Sequence, residues 1–559
     1  MHDTQRPGWR SAPVAWGTPA PVAPGAAPEI ATGDAPRRRR RLVVGLVAGG
    51  VLLVAAVMAL GVVAFEQVRS WIEDPYTVAA WQEANPHRTD RDTSTLPLLE
   101  WHDCPFAREP QGADVACATL VVPADRRPGA DSSEVMELAV AVLPALGEPR
   151  DDPVLYLEGG PGGPAVGWYD EWMLDGWPSQ EDRDLILLDQ RGTGYSSPQL
   201  GCPEYLEAMA YEEVAAMRTC HDRFRAEGVD LSTVSTPEHA ADVEDLRVAM
   251  GIQRWNLLGT SYGSRIALRV MDLYPEGVRS AVLDSAYPPQ VESLYHEPAS
   301  AAAAIDALFA ACAADAACAG AYPDLAGVFE RAIAQLDRDP VELDGVQTTG
   351  DDLVYGVVQA LYDPTMPALL PRLVSTVESD PDAALEELFE GLGYLAYGTE
   401  RGSRSTVPTW RESDGTFFSV ECREEAATID RSEALARASS VRSPASSALS
   451  GQLRLTLDIC DLWDSGVAEP WERDPVEADI PTLVLAGSLD PVTPPEWGRL
   501  TSSGLPASTF VEFPDLGHAL VLGGSCPLSL MEQHIQRPGD PIDDGCWQAR
   551  AIAWSLEDG

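Results

Sequence analysis

No lysine occurs among the 559 residues, and all 39 basic side chains are arginine. Against them stand 87 aspartates and glutamates, for a formal net charge of −48. Such a field repels phosphate backbones and excludes nucleic acid as a partner. A well-solvated exterior is the simplest reading of that acidity, with salt tolerance or attraction of cationic substrates as the alternatives. Net charge speaks to solubility and not to fold. Also missing is any C-x-x-C pair, which excludes a zinc ribbon or a thioredoxin-type site. No internal repeat of fixed period is present. No motif calls for a metal or an organic cofactor.

What is present begins with a segmented N-terminus. Residues 1–36 are rich in Pro, Ala and Gly and are expected to be disordered. Arg37–Arg41 follows, and Leu42–Phe65 then carries no charge over 24 residues. At about 1.5 Å per residue a helix there reaches about 36 Å, enough for a hydrocarbon core of roughly 30 Å. The arginines belong on the cytoplasmic side, so the remainder is expected outside the membrane, with Trp71 and Tyr76 at the interface. A cleaved signal peptide ending near Val57-Met58-Ala59 is the competing reading. The apolar run is longer than a signal core, however, and a long polar leader precedes it.

Ten cysteines, at 104, 117, 202, 220, 312, 318, 422, 460, 526 and 546, all lie beyond that segment. An even count in an oxidising compartment reads as five disulfides. Sequence alone does not give their connectivity. Nearest-neighbour pairing is the working hypothesis: 104–117, 202–220, 312–318, 422–460 and 526–546.

From Leu120 the chain alternates strand, turn and helix. Val135–Leu143, Pro153–Leu157, Asp184–Leu188, Arg254–Leu258 and Val278–Asp284 are apolar runs suited to strands buried on both faces of a parallel sheet. Thr236-Pro-Glu238 marks a helix start and Gly251 its end, and a second helix runs from Ser261 to Tyr274-Pro275. Between Pro288 and Pro475 the pattern becomes helical, with helices expected at Ala301–Ala314 and Ala383–Leu395. Buried strands return at Ile480–Gly487 and Thr509–Phe513. The expected class is therefore α/β: a mostly parallel sheet flanked by helices, with an inserted, mainly helical cap over the strand ends where open α/β sheets bind ligands. The chain divides into a cytoplasmic tail (1–41), a membrane anchor (42–65), a linker (66–97), the first part of the core (98–287), the cap (288–475) and the second part of the core (476–559).

Gly259-Thr-Ser-Tyr-Gly263 is a G-x-S-x-G between an expected strand and an expected helix. That context separates a nucleophile turn from a chance match, because the serine must sit on a sharp strained bend with small residues two before and two after. Serine needs a base, and the base needs a carboxylate to orient it. In a strand–Ser–helix arrangement the acid and then the histidine follow the serine along the chain. Only His296, His518 and His534 follow Ser261, and His518 alone sits in a loop just past an expected strand. Asp490, after the preceding strand, is the expected acid. Asp515 is the rival, and its place on the same loop as His518 reads better as a turn residue. The oxyanion requires two amide donors. Tyr262 supplies one, and the turn Gly159-Gly-Pro-Gly-Gly163 the other through Gly160, with Gly162 second; no Lys-Ser/Thr follows that turn, so it is no phosphate loop.

Gly159-Gly-Pro-Gly-Gly163, Asp189-Gln-Arg-Gly-Thr-Gly194 and Gly259-Thr-Ser-Tyr-Gly263, in that order, resemble the proline iminopeptidase and tripeptidyl aminopeptidase branch of the α/β hydrolases. Cys117-Ala-Thr-Leu-Val-Val-Pro123, Cys460-x-x-Trp463 and Gly487-x-x-Asp490-x-x-Thr493-Pro494 are similar to the secreted tripeptidyl aminopeptidases, and the resemblance spans about residues 98–547. Glu158 departs from the pattern, standing where proline iminopeptidases place histidine. The resemblance implies an exopeptidase that frees residues from the N-terminus of peptides and must hold an ammonium group. Glu421 and Glu424 in the cap are candidates for that task. Thr493 would support the Asp490 loop, while Gln190 and Arg191 order the neighbouring turn. An esterase or lipase with the same triad, or a hydrolase-fold protein that only binds, are the alternatives.

Overall fold

Two four-residue runs set the architecture. Val154-Leu-Tyr-Leu157 and Leu185-Ile-Leu-Leu188 are buried along their whole length, and strands apolar on both faces need helices on both sides of their sheet. The computed structural model describes residues 95–104, 115–130, 134–168, 176–206, 212–343, 346–392, 413–441, 445–542 and 545–556. In chain order the described strands are β1 (Leu98–His102), β2 (Ala116–Pro123), β3 (Val135–Leu143), β4 (Val154–Leu157), β5 (Leu185–Leu188), β6 (Trp255–Thr260), β7 (Val278–Asp284), β8 (Val341–Leu343), β9 (Val346–Thr348), β10 (Thr482–Gly487) and β11 (Ser508–Phe513). Nine of them form one sheet in the order β1-β2-β3-β5-β4-β6-β7-β10-β11. The first four pair antiparallel. From β5 across to β11 every pair is parallel, so all those strands release their C-terminal loops on one side of the sheet.

Helix α1 (Thr236–Met250) ends on Gly251, whose φ of 71° is the left-handed stop that the sequence signals. Its N-cap is Ser235, one residue before the expected Thr236. Thr236 is instead the first helical residue, and its amide and hydroxyl are claimed by Glu424 from far along the chain. Helix α2 (Tyr262–Leu273) follows Ser261 and is buried over nearly its whole circumference.

Between β7 and β10 the described elements are helices and the short β8–β9 hairpin. Three-residue strands are too short for periodicity to reveal, and the sequence reading missed this hairpin. Helix α3 (Ser293–Ala314) begins earlier than the expected Ala301 and carries Pro298 inside it. It is apolar and long enough to cross a membrane, yet half of its apolar window is buried. Ile305, Leu308, Phe329, Leu336, Val354 and Leu385 form a core for this helical region separate from those that line the sheet. Two further helices, α4 (Asp414–Glu424) and α5 (Ser446–Cys460), return toward the sheet. The expected disordered tail, membrane anchor and most of the linker lie outside the described residues.

All ten cysteines pair with their nearest neighbour in the chain: 104–117, 202–220, 312–318, 422–460 and 526–546. Five such bridges mark a domain that folds in an oxidising, extracytoplasmic compartment. Cys422–Cys460 joins α4 to α5 and closes the longest loop, with a separation of 38 residues. Chain-entropy arguments give a loop of that size about 4 kcal/mol of stabilisation. The double variant Cys422→Ser/Cys460→Ser is therefore expected to lose stability of that order in an equilibrium denaturant titration, more than Cys312→Ser/Cys318→Ser, whose loop is far shorter.

Candidate active site

Ser261 sits between β6 and α2 with φ 55° and ψ −122°, a conformation that L-residues adopt only under constraint. The flanking glycines are required by contact. A Cβ at Gly263 would lie 1.9 Å from the Leu157 carbonyl oxygen, and one at Gly259 would lie 2.5 Å from the Gly263 carbonyl oxygen. The Ser261 amide donates to the Asp284 carbonyl at 2.9 Å, and Ser264 Oγ donates to the Ser261 carbonyl at 2.5 Å. Ser261 is buried, and among the described residues its Oγ makes no hydrogen bond.

Asp490 and His518 meet from the loops after β10 and β11. His518 Nδ1 lies 2.8 Å from Asp490 Oδ2. The other Asp490 oxygen accepts the amides of Val492 and Thr493 at 2.9 and 2.8 Å. Thr493 Oγ1 donates to Oδ2 at 2.7 Å and stands 3.2 Å from His518 Nδ1. An acceptor-only carboxylate at Nδ1 draws the ring proton there and leaves Nε2 as the basic nitrogen. Burial alone would lower the His518 pKa, but the Asp490 charge and hydrogen bond, with Asp284 and Glu158 beyond them, carry it above its ordinary value. From the helical region, the Leu361 carbonyl accepts the His518 amide at 3.3 Å, and the Tyr362 ring packs edge-on at 5.0 Å. Asp515 is turned away into an ion pair with Arg550 at 2.8 Å. Buried His534 bonds the Pro481 carbonyl at 3.3 Å, and burial holds its pKa at about 4.

The glycine turn after β4 abuts Ser261: a Cβ on Gly159 would lie 2.9 Å from Ser261 Cβ and 3.4 Å from its Oγ. The Gly159 amide is taken by Glu158 Oε1 at 2.7 Å. Those of Gly160 and Tyr262 have no acceptor among the described residues. Gly160 has φ 107° and precedes a cis bond to Pro161. Gln190 Nε2 braces this turn through the Glu158 carbonyl at 2.8 Å. Arg191 is buried against Asp242, with contacts of 2.6 and 2.9 Å, and against three backbone carbonyls. Between these turns Asp189 accepts the amides of Val166 and Tyr195 at 2.8 Å each, and burial outweighs them to push its pKa to about 7.

Residues 152–309 match the family described as alpha/beta hydrolase fold, and residues 446–546 match the family described as TAP-like protein. Together with the fold and the strained serine turn, these matches support the α/β-hydrolase peptidase branch. Serine protease Hip1 of Mycobacterium tuberculosis is 27% identical over 472 residues, covering 77% of this hydrolase and 86% of that protein. Putative hydrolase YuaR of Escherichia coli is 24% identical over 487 residues, covering 81% and 91%. Tripeptidyl aminopeptidase of Streptomyces coelicolor is 26% identical over 219 residues, covering 36% and 40%.

The two glutamates expected to hold an ammonium group have different surroundings. Glu424 is engaged: its oxygens accept from the Thr236 amide at 2.7 Å and the Thr236 hydroxyl at 2.8 Å, and one lies 3.4 Å from Arg265. Glu425 takes the stronger ion pair with Arg265, at 2.9 Å, and also accepts from Tyr287 Oη at 3.1 Å and the Ser293 amide at 2.9 Å. The Glu421 carbonyl accepts the Glu425 amide at 3.0 Å, but its carboxyl accepts no hydrogen bond among the described residues. Burial, reinforced by Glu425 and Glu297 and opposed by Arg265, pushes its carboxyl well above the usual range. Helix α4, which carries Glu421, starts against the glycine turn, where the Ser413 amide donates to the Gly162 carbonyl at 2.9 Å.

Proposed function

We propose that the chain is a serine exopeptidase that cleaves peptide bonds near the free N-terminus of peptides. The observation that carries the reading is the buried His518–Asp490 pair at 2.8 Å, whose loop is tied through Asp284 to a serine held at positive φ. Ser261 Oγ attacks the scissile carbonyl as His518 Nε2 accepts its proton. The oxyanion forms against the Gly160 and Tyr262 amides, and the imidazolium returns the proton to the leaving amine. Water repeats the sequence on the acyl-enzyme. Asp490 keeps the imidazole in the productive tautomer, and Thr493 keeps Asp490 in place. The peptidase names of the relatives support peptide over ester substrates. The reading also puts residues 42–65 in a membrane as an anchor, with the catalytic domain on the extracytoplasmic side.

Of the two cap glutamates, Glu421 is the one with a carboxylate free to take an ammonium group. A protonated, buried carboxyl ionises when a cation arrives to compensate it, so the N-terminus of the substrate would supply the counter-charge that Glu421 lacks. The test is a panel of fluorogenic aminoacyl and tripeptidyl amides, N-terminally free and blocked, with short acyl esters alongside. Free amides are expected to be turned over and blocked ones to be poor substrates; turnover of esters alone would instead identify an esterase. Glu421→Gln is expected to raise KM for free substrates about tenfold or more, the worth of one charge-assisted hydrogen bond, and to leave blocked ones nearly unaffected. Equal effects on both would remove Glu421 from N-terminus recognition.

A further inference from the structure

Among the described residues five non-glycine positions have positive φ, and three of them belong to one hydrogen-bonded cluster: Ser261 at 55°, Ser285 at 55° and Ala519 at 57°. Residues in such conformations persist only where their surroundings over-determine them. The link between them is the C-terminal end of β7. The Asp284 carbonyl accepts the Ser261 amide at 2.9 Å. Its carboxylate accepts the amides of Leu520 and Val521, one on each oxygen, at 2.9 and 2.8 Å. Ser285 Oγ accepts the Ala519 amide at 3.0 Å and donates to Asp284 Oδ1 at 3.2 Å. Both residues are completely buried.

We propose that Asp284 is a positioning residue that fixes the reach between nucleophile and base. Its backbone holds Ser261, and its side chain holds Leu520 and Val521 directly and Ala519 through the Ser285 hydroxyl, so one residue sets the spacing of two loops that share no other strand. This inference rests on the triad reading above. The geometry explains why an apolar strand ends on an aspartate: only an acceptor-only group satisfies two adjacent amides and a hydroxyl at once. Burial raises its pKa to about 6, while the two amides, the His518 charge and Ser285 favour the ionised form. Neutral asparagine would keep the size but turn an N–H₂ group toward one of the amides, releasing the His518 loop on that side.

Asp284→Asn is expected to unfold cooperatively like the parent and to lose about 10–100-fold in kcat, the scale of a small misplacement of reacting groups. KM should stay within about twofold, since the residue does not touch substrate. The rate of Ser261 labelling by a fluorophosphonate should fall in the same proportion as kcat. Ser285→Ala removes the Ala519 acceptor and the hydroxyl donor to Asp284 but leaves both Asp284–amide bonds, and should give the same KM-neutral pattern with a smaller loss; it decides the matter if Asp284→Asn does not fold. A folded variant with undiminished kcat, or one in which KM rises while kcat holds, would overturn the proposal. A parent enzyme that takes no label would overturn the triad itself, whereas a labelled parent with an equally reactive Asp284→Asn overturns only the tether.

Discussion

Ser261→Ala is expected to abolish turnover, with a loss of about 10⁶-fold in kcat, and to leave the protein folded. Two features make this a clean experiment. Ser261 Oγ has no hydrogen-bond partner among the described residues, so its removal breaks no bond that supports the fold. The contacts that hold the strained turn are made by other groups: the Ser261 amide to the Asp284 carbonyl, the Ser264 hydroxyl to the Ser261 carbonyl, and the Gly259 and Gly263 approaches. Alanine tolerates that backbone no worse than serine does. The variant should therefore keep its thermal unfolding profile, bind N-terminally free peptides with near-parental affinity and take no fluorophosphonate label. Retained turnover would show that the serine in the bend is not the nucleophile, whatever its geometry.

The parts of this molecule that were legible in the sequence are those encoded locally. Val135–Leu143 and Val278–Asp284 were expected with the bounds that β3 and β7 show, because an apolar run closed by turn residues contains its own limits. Ser261, Asp490 and His518 could be singled out because each follows a strand signal within a few residues. The five nearest-neighbour disulfides follow from short loops that close easily. What was not legible depends on partners far away in the chain. Glu424 reads in the sequence as a candidate for holding an ammonium group, yet it is buried and its oxygens are taken by Thr236 and Arg265, which no local signal announces. Asp284 read as the polar end of a strand, and nothing near it in sequence announces the amides of Leu520 and Val521. Leu361 and Tyr362, which pack on the His518 loop, carry no motif at all. An aspartate closing an otherwise buried apolar strand was the one available signal for Asp284, since such a group must find acceptor work inside the protein.

Asp490→Asn should separate orientation from chemistry. The substitution preserves shape, and the amides of Val492 and Thr493 can still be accepted by the side-chain oxygen that now receives them. The group facing His518 Nδ1 at 2.8 Å, however, can become a donor. A donor there favours the tautomer with the proton on Nε2, which cannot accept a proton from Ser261. The expected loss in kcat is about 10⁴-fold, the size of the wrong-tautomer effect in serine hydrolases generally. Thr493 Oγ1, 3.2 Å from the same nitrogen, would not rescue it: it loses its acceptor at that position, and its freed proton can turn to His518 Nδ1, which favours the same unproductive tautomer. The pH profile supplies an independent check. His518 must be neutral to act as base, and its pKa is raised above 6.5 chiefly by Asp490. The acid limb of kcat/KM in the parent should therefore lie above pH 6.5, with activity falling as pH drops through it. Removing the Asp490 charge lowers the His518 pKa, so the same limb in Asp490→Asn should shift to lower pH even as the plateau collapses. A variant with the low plateau but an unshifted limb would mean that Asp490 orients the ring without setting its charge, and that Asp284 and Glu158 hold the imidazolium instead.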